Sequence, residues 1–268
     1  MTDSFVAVDT SVDTSVDTAG IIGRGRLHVR VLAGSHAGPP VVFLHEGLGS
    51  LDLWRSFPED VRTALGGVTT VVYSRHGYGR SAVVTAPRAV PYMHDEALVV
   101  LPALLAELGI ERPLLVGHSD GASIAIIHAG SGHPVAGLVL IAPHVFVEDV
   151  GIASIEAARV AYDDGDLRAR LLRHHDDVDA TFRGWNDIWL APAFRAWNIE
   201  EYLPAIEAPV LVVQGDADEY GTLAQVDSIE RGVTGPFERL VVAGAGHAPH
   251  QHAGAEVVEA IRRFMASA

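Results

Sequence analysis

Leu114-Leu115-Val116-Gly117-His118-Ser119-Asp120-Gly121-Ala122-Ser123-Ile124-Ala125 reads as a short apolar strand, a tight turn and the start of a helix built from small residues. The turn has the form G-x-S-x-G. Where a strand passes so abruptly into a helix, side chains at the two glycine positions would clash, and the turn leaves the serine Oγ exposed above the sheet. The pentapeptide alone arises too readily by chance to decide anything; the strand before it and the helix after it give it meaning. Ser119 is therefore the candidate nucleophile. A serine hydroxyl is a poor nucleophile at neutral pH, so the chain must also supply a base that takes its proton and an acid that steadies the base.

On either side of this stretch lie further continuous apolar runs, Val41 to Leu44, Val68 to Tyr73, Leu138 to Ile141, Val210 to Val213 and Leu240 to Val242. Strands covered by helices on both faces read this way, without polar alternation. The clearest helix runs from about Met93 to Leu108, with Gly109 placed to end it and Pro102 expected to bend it. Strand and helix alternate, which predicts an α/β fold around a mostly parallel sheet. Leu27, Val29 and Val31 alternate with His28 and Arg30, the period of a half-buried strand in an antiparallel start to that sheet. Residues 8 to 18 repeat VDTSVDTSVDT with no apolar face, so residues 1–19 are expected to be a disordered tail. The core then comprises residues 20–146 and 205–268. Between them, residues 147–204 carry helical patterns without a strand-like run, and an insertion of that size is expected to act as a helical cap.

The other motifs follow in an informative order. His45-Glu46-Gly47-Leu48-Gly49-Ser50 follows the first buried run, and Arg75-His76-Gly77-Tyr78-Gly79-Arg80-Ser81 follows the second. Gly215-Asp216-Ala217-Asp218 and Gly244-Ala245-Gly246-His247 follow the last two. His247 fits the base because it alone follows the glycine-rich turn directly off the last buried strand, whereas His250 and His252 read as helix-start or surface residues. His118 reads as packing beside the strand end. Two aspartates, Asp216 and Asp218, compete for the acid, with Glu148 and Asp149 as a further position.

These segments and their order resemble the α/β-hydrolase family from about residue 21 to residue 268. The resemblance implies an α/β-hydrolase fold and a nucleophile, acid and base in the chain order Ser, Asp, His. The family spacing G-x-x-D selects Asp218 and leaves Asp216 to shape its loop. The resemblance also implies an oxyanion hole made by the amides of Gly47 and Asp120. Here the chain departs from the commoner H-G-x by reading H-E-G, which sets the Glu46 carboxylate beside a site of developing negative charge. Glu46 must point away, be protonated or pair with a cation, for which Arg75 and Arg80 are candidates.

Trp185 and Trp189, with Phe182, fall at i, i+3 and i+7 in the expected cap and continue into Phe194 and Trp197. They are candidates both for lining a substrate pocket and for anchoring the cap. The expected activity is hydrolysis of a carboxylic ester of a small or medium apolar substrate through an acyl-serine. Thioester, lactone or carbon–carbon bond cleavage and a ligand receptor of the same fold are the alternatives.

Composition narrows the partners. The formal charge of −15, from 19 Lys and Arg against 34 Asp and Glu, disfavours nucleic acid. With 0 Cys there is no disulfide, thiolate nucleophile or thiolate metal site. His247-x-x-His250-x-His252 and His174-His175-Asp176-Asp177 lack the H-E-x-x-H spacing of a metal-binding helix, so neither metal nor organic cofactor is expected. No run reaches membrane-spanning length and no signal pattern opens the chain; a cytoplasmic protein acting on a small molecule is the expectation, with no oligomeric state specified.

Overall fold

The computed structural model describes residues 2–8, 25–36 and 38–267. Its strands are β1 (Thr2–Val8), β2 (Gly25–Leu32), β3 (Val41–Leu44), β4 (Thr70–Ser74), β5 (Leu114–His118), β6 (Gly137–Ile141), β7 (Val210–Gly215) and β8 (Phe237–Val242). They form one sheet in the order β1-β2-β4-β3-β5-β6-β7-β8. β1 and β2 join it antiparallel, and every pair from β4 to β8 is parallel. This is the α/β-hydrolase fold that the motif order implied.

The continuous apolar runs have a direct cause. Successive strand residues point to opposite faces, and here both faces are covered. Val42, Leu44, Leu115 and Val212 face one core, with α3 (Leu101–Glu107), α4 (Asp120–Gly130) and α8 (Leu223–Gly232) over them. Val41, Phe43, Val116 and Val213 face the other, beneath α1 (Phe57–Ala64) and α10 (Gly254–Ser267). The register then aligns the strand ends: Leu44 pairs with Gly117 and His118 with Ile141. The loops after β3, β5 and β6 consequently leave the sheet side by side.

The expected helix over residues 93–108 is present with a distortion rather than a simple bend. α2 (Tyr92–Asp95) passes into α3 through a π turn at Glu96–Val100, directly ahead of Pro102. Proline offers no N–H to the carbonyl four residues back and its ring crowds that turn, so a wider turn is the local solution.

One expectation is corrected. Thr2–Val8 is not a tail but the outermost strand, paired with β2 from Thr2 opposite Val31 to Val8 opposite Gly25. Asp3 pairs with Arg30 at 2.7 Å, and Val6 packs against the core. The short apolar stretch Phe5-Val6 ahead of the repeat carries this edge. Residues 9–19 of the expected tail lie outside the described residues.

Between β6 and β7 the chain forms α5 (Asp149–Asp163), α6 (Leu167–Leu171) and α7 (Val178–Trp189), then two 3-10 turns at Pro192–Ala196 and Glu200–Ala205. The Asp177 side chain caps α7 by accepting from the Ala180 amide. An isolated antiparallel bridge joins Phe146 to Asn198 at the base of the excursion. The short remaining helix, α9 (Pro249–His252), precedes α10. Among the described residues no helix is long and apolar enough to cross a membrane.

Candidate active site

Ser119 sits at the crossing of β5 into α4 with φ 53° and ψ −118°, a left-handed conformation that a non-glycine residue adopts at a cost of about 1–3 kcal/mol. Its surroundings hold it there. Its amide donates to the Ile141 carbonyl at 2.9 Å, and its own carbonyl accepts from the Ala122 amide at 2.8 Å. A Cβ at position 117 would come within 2.6 Å of the Ala122 backbone, and one at 121 within 2.8 Å of the His45 carbonyl oxygen. Backbone therefore fills the space on both sides of the serine, which is why both flanking positions are glycine.

The structure brings Ser119, His247 and Asp218 together. Nδ1 of His247 lies 2.9 Å from both Asp218 carboxylate oxygens, and Nε2 lies 2.9 Å from Ser119 Oγ. A carboxylate only accepts, so Nδ1 donates and leaves the Nε2 lone pair facing the hydroxyl. Burial pushes the Asp218 carboxyl up, but the hydrogen bond and charge of His247 and the Tyr220 amide at 2.8 Å outweigh it and hold it below its usual range. Gln214 also donates to Asp218, at 2.7 Å. The competing acids are engaged elsewhere. Asp216 accepts the Gly244 amide at 2.6 Å and shapes the loop before His247, Glu148 accepts from Thr222 and Gln225, and Asp149 pairs with Arg195.

Gly47 and Asp120 both face the cavity beside Ser119. Among the described residues neither amide donates to another group. The Glu46 carbonyl accepts from His45 Nδ1 at 2.8 Å, the Gly49 amide at 3.0 Å and Arg75 Nη2 at 2.9 Å. Because the peptide is planar and trans, three bonds on that carbonyl also fix the direction of the Gly47 N–H on its far side. The Arg75 amide in turn donates to His45 Nε2 at 3.0 Å. Burial, then the Arg75 charge, drives the His45 imidazole well below its usual range, so the ring stays neutral and can accept that bond. Asp120 turns its carboxylate inward, to the Tyr92 hydroxyl at 2.8 Å and Arg75 at 3.5 Å, leaving only its amide toward the cavity.

The partner of the Glu46 carboxylate is a correction to the sequence reading. Neither Arg75 nor Arg80 pairs with it: Arg75 is spent on the Glu46 carbonyl and Asp120, and Arg80 is exposed. His118 Nδ1 lies 3.4 Å from Glu46 Oε2 instead. Burial raises the Glu46 carboxyl, yet the adjacent His118 imidazole carries it well below the usual carboxylate range, and His118 Nδ1 has no other partner among the described residues. His118 thus does more than pack beside the strand end.

A cavity of about 100 Å³ opens over Ser119, walled by Gly151 and Ile155 of α5, Trp185 and Trp189 of α7, Leu48, Tyr220 and His144. The aromatic stripe divides its work. Phe182 stacks on Tyr162 of α5 with ring centroids 3.7 Å apart and fixes helix to helix. Trp185 and Trp189 face the cavity, and Trp189 also packs on Phe194 and donates to the Tyr92 hydroxyl at 3.0 Å. His144 in the cavity wall carried no sequence signal; burial lowers it to about 3, so it is a neutral ring. His250 lies buried at the start of α9 against Trp54 and Phe57, and His252 is exposed. His175 bonds the Gly79 amide and the Leu48 carbonyl. Among the described residues no three His, Asp or Glu side chains converge as a metal site requires.

A model of the alpha/beta hydrolase family matches residues 41–260. N-formylmaleamate deformylase of Pseudomonas putida is 30% identical over 174 residues, 58% of this chain and 64% of that protein, so the match spans just under two thirds of that relative. Among solved structures, the proline iminopeptidase of Mycobacterium smegmatis superposes with a TM-score of 0.72 at 18% identity over 98% of each chain. A thermophilic esterase of Thermogutta terrifontis gives 0.67 at 20% identity over 98% of each chain. The enol-lactonase of Burkholderia xenovorans gives 0.69 at 18% identity over 90% of this chain and 97% of that one. At these identities the structural likeness shows the fold.

Proposed function

The chain belongs to the α/β-hydrolase family, and from that premise we propose that it hydrolyses a carboxylic ester of a small or medium apolar substrate through an acyl-Ser119 intermediate. The observation that carries this reading is the unbroken hydrogen-bonded line from Asp218 through His247 to Ser119 Oγ, beside two amides that face a largely apolar cavity. Ser119 Oγ attacks the ester carbonyl carbon as His247 Nε2 takes the hydroxyl proton, and the Gly47 and Asp120 amides meet the oxygen that becomes negative. The alkoxide then leaves with that proton. Water attacks the acyl-serine with His247 again as base, and the acid product and free Ser119 result. Asp218 holds the ring in the tautomer that both steps use and offsets the imidazolium charge. Residues 147–204 act as the cap whose Trp185 and Trp189 shape the acyl pocket.

The small cavity and the deformylase relative support a second reading on the same residues, hydrolysis of a small acyl amide, with His247 protonating the departing nitrogen. A pure receptor needs no such proton path, which favours turnover. The test is a panel of esters, thioesters, lactones, vinylogous diketones and N-formyl amides at fixed enzyme concentration, ranked by kcat/KM, with a burst measured on an activated ester. Esters should rank first. Ser119→Ala should abolish turnover, and a serine-directed phosphonate should label the peptide containing Ser119. Turnover surviving in Ser119→Ala, or the absence of both burst and turnover in the native chain, overturns the reading.

A further inference from the structure

We propose that Glu46 and His118 are a positioning pair that shares one proton and thereby fastens the loop bearing the Gly47 amide to the loop bearing His247. This rests on the roles given above to Ser119, His247 and Gly47. The argument starts from what each atom is able to do. His118 Nε2 lies 2.7 Å from the His247 carbonyl oxygen, and a carbonyl only accepts, so Nε2 carries a hydrogen. The other nitrogen, Nδ1, lies 3.4 Å from Glu46 Oε2. A neutral ring protonated at Nε2 would turn its Nδ1 lone pair on a carboxylate that also only accepts. The side chains are 4% and 25% exposed, so little water intervenes to screen that repulsion. The contact is favourable when a proton lies between the two.

The surrounding groups leave His118 to balance the Glu46 charge. On the Glu46 side stand His45 and His175, both held neutral chiefly by burial, and Arg75, already engaged with the Glu46 carbonyl and Asp120. On the other side of the His118 ring lie His247 at 5.2 Å, His250 at 4.8 Å and Trp54 at 6.2 Å between centroids. Burial keeps His250 neutral too, and the Arg55 charge acts on it in the same direction.

The shared proton has two effects on the reaction. It links Glu46, one residue before Gly47, to the carbonyl of His247 itself, so the oxyanion donor and the base are braced against each other. It also cancels a negative charge beside the position where the substrate oxygen becomes an oxyanion.

Imidazole nitrogen NMR on the intact protein tests the proton directly, with the His118 signal assigned from His118→Asn. At pH 7, Nδ1 of His118 is expected to be protonated in the native chain and unprotonated in Glu46→Gln, whose amide donates to it instead. Kinetics supply the functional arm. Glu46→Leu should lower kcat by at least about tenfold with a smaller change in KM, as misplacing an oxyanion donor does, and Glu46→Gln should restore most of it. A bare Nδ1 at pH 7 in the native chain overturns the shared proton. Glu46→Leu with native kcat, or Glu46→Gln with kcat as low as that of Glu46→Leu, overturns its part in the reaction. The NMR arm needs no turnover, so failure of the hydrolase reading and failure of this pair are separately visible.

Discussion

The Trp185 indole rests against the backbone of Gly47, so close that a Cβ at position 47 would come within 2.1 Å of its Nε1. Helix α7 therefore touches the loop that carries Gly47 directly, and only glycine fits between them. Gly47→Ala must displace either the loop or the indole, and we expect a loss of kcat of about 10², the scale of removing one oxyanion donor. Adding Trp185→Ala vacates the space and should recover part of the loss. The double-mutant cycle measures this, and additive effects would mean that the contact is not what restricts position 47.

Asp218 and Asp216 separate cleanly by substitution. Asp218→Asn removes the acceptor that fixes the His247 tautomer, and kcat should fall by about 10⁴. Asp216→Asn loses one contact to the Gly244 amide and should cost far less. Comparing kcat of the two variants is the check, and a reversed order would transfer the acid to Asp216.

Trp185→Ala and Trp189→Ala should each change the ratio of kcat/KM between a short and a long acyl ester, since both side chains wall the cavity over Ser119. One methylene in such a pocket is worth about 1–3 kcal/mol, and an indole is much larger. Trp189 is also packed on Phe194 and bonded to Tyr92, so its variant should lose stability as well, on the scale of 3–5 kcal/mol typical of large-to-small core changes, about the upper end of single substitutions. A lower melting temperature with an unchanged ratio in both variants would confine the pair to anchoring α7.

Acid should unfold this protein early. Burial lowers His76, His128 and His175 to about 4, and His144 and His250 to about 3. In the unfolded chain the same rings take up protons near pH 6.5, so between there and pH about 4 the unfolded state binds more protons. Their contribution is complete above about pH 7 and is lost as the pH falls, by up to about 1.4 kcal/mol per ring per pH unit. The melting temperature should therefore drop steeply from pH 7 to pH 4.5. A flat profile over that range would mean that these rings are protonated in the folded protein.

The central strands β3 to β7 were legible because both of their faces are covered, which makes each sequence a continuous apolar run, whereas β2 showed by its alternation and β8, largely exposed, only by Leu240 to Val242. The turn at Ser119 was legible because backbone packs against both flanking glycines. The choice between Asp216 and Asp218 came from family spacing, as nothing local distinguishes two aspartates two positions apart until the loop of Gly244 and His247 closes over them. His118 and His45 were illegible as positioning groups for a related reason. Their partners, the His247 carbonyl and the Arg75 amide, arrive from loops 129 and 30 residues away in sequence. Phe5-Val6 was hidden by the repeat that follows it, and the π turn by the ordinary helical spacing of the residues around it.

The Phe146–Asn198 bridge closes a neck. The Ile199 amide bonds the Val145 carbonyl at 2.8 Å beside it, so the excursion between β6 and β7 departs and returns through one narrow gate. Because β6 and β7 are neighbours in the sheet, strand pairing is indifferent to what hangs beyond that gate. Lengthening, shortening or exchanging α5 to α7 should leave the pairing of β6 with β7 in place. On the proposed roles, the groups on the strand ends and the helices that wall the cavity are therefore separable parts of one chain.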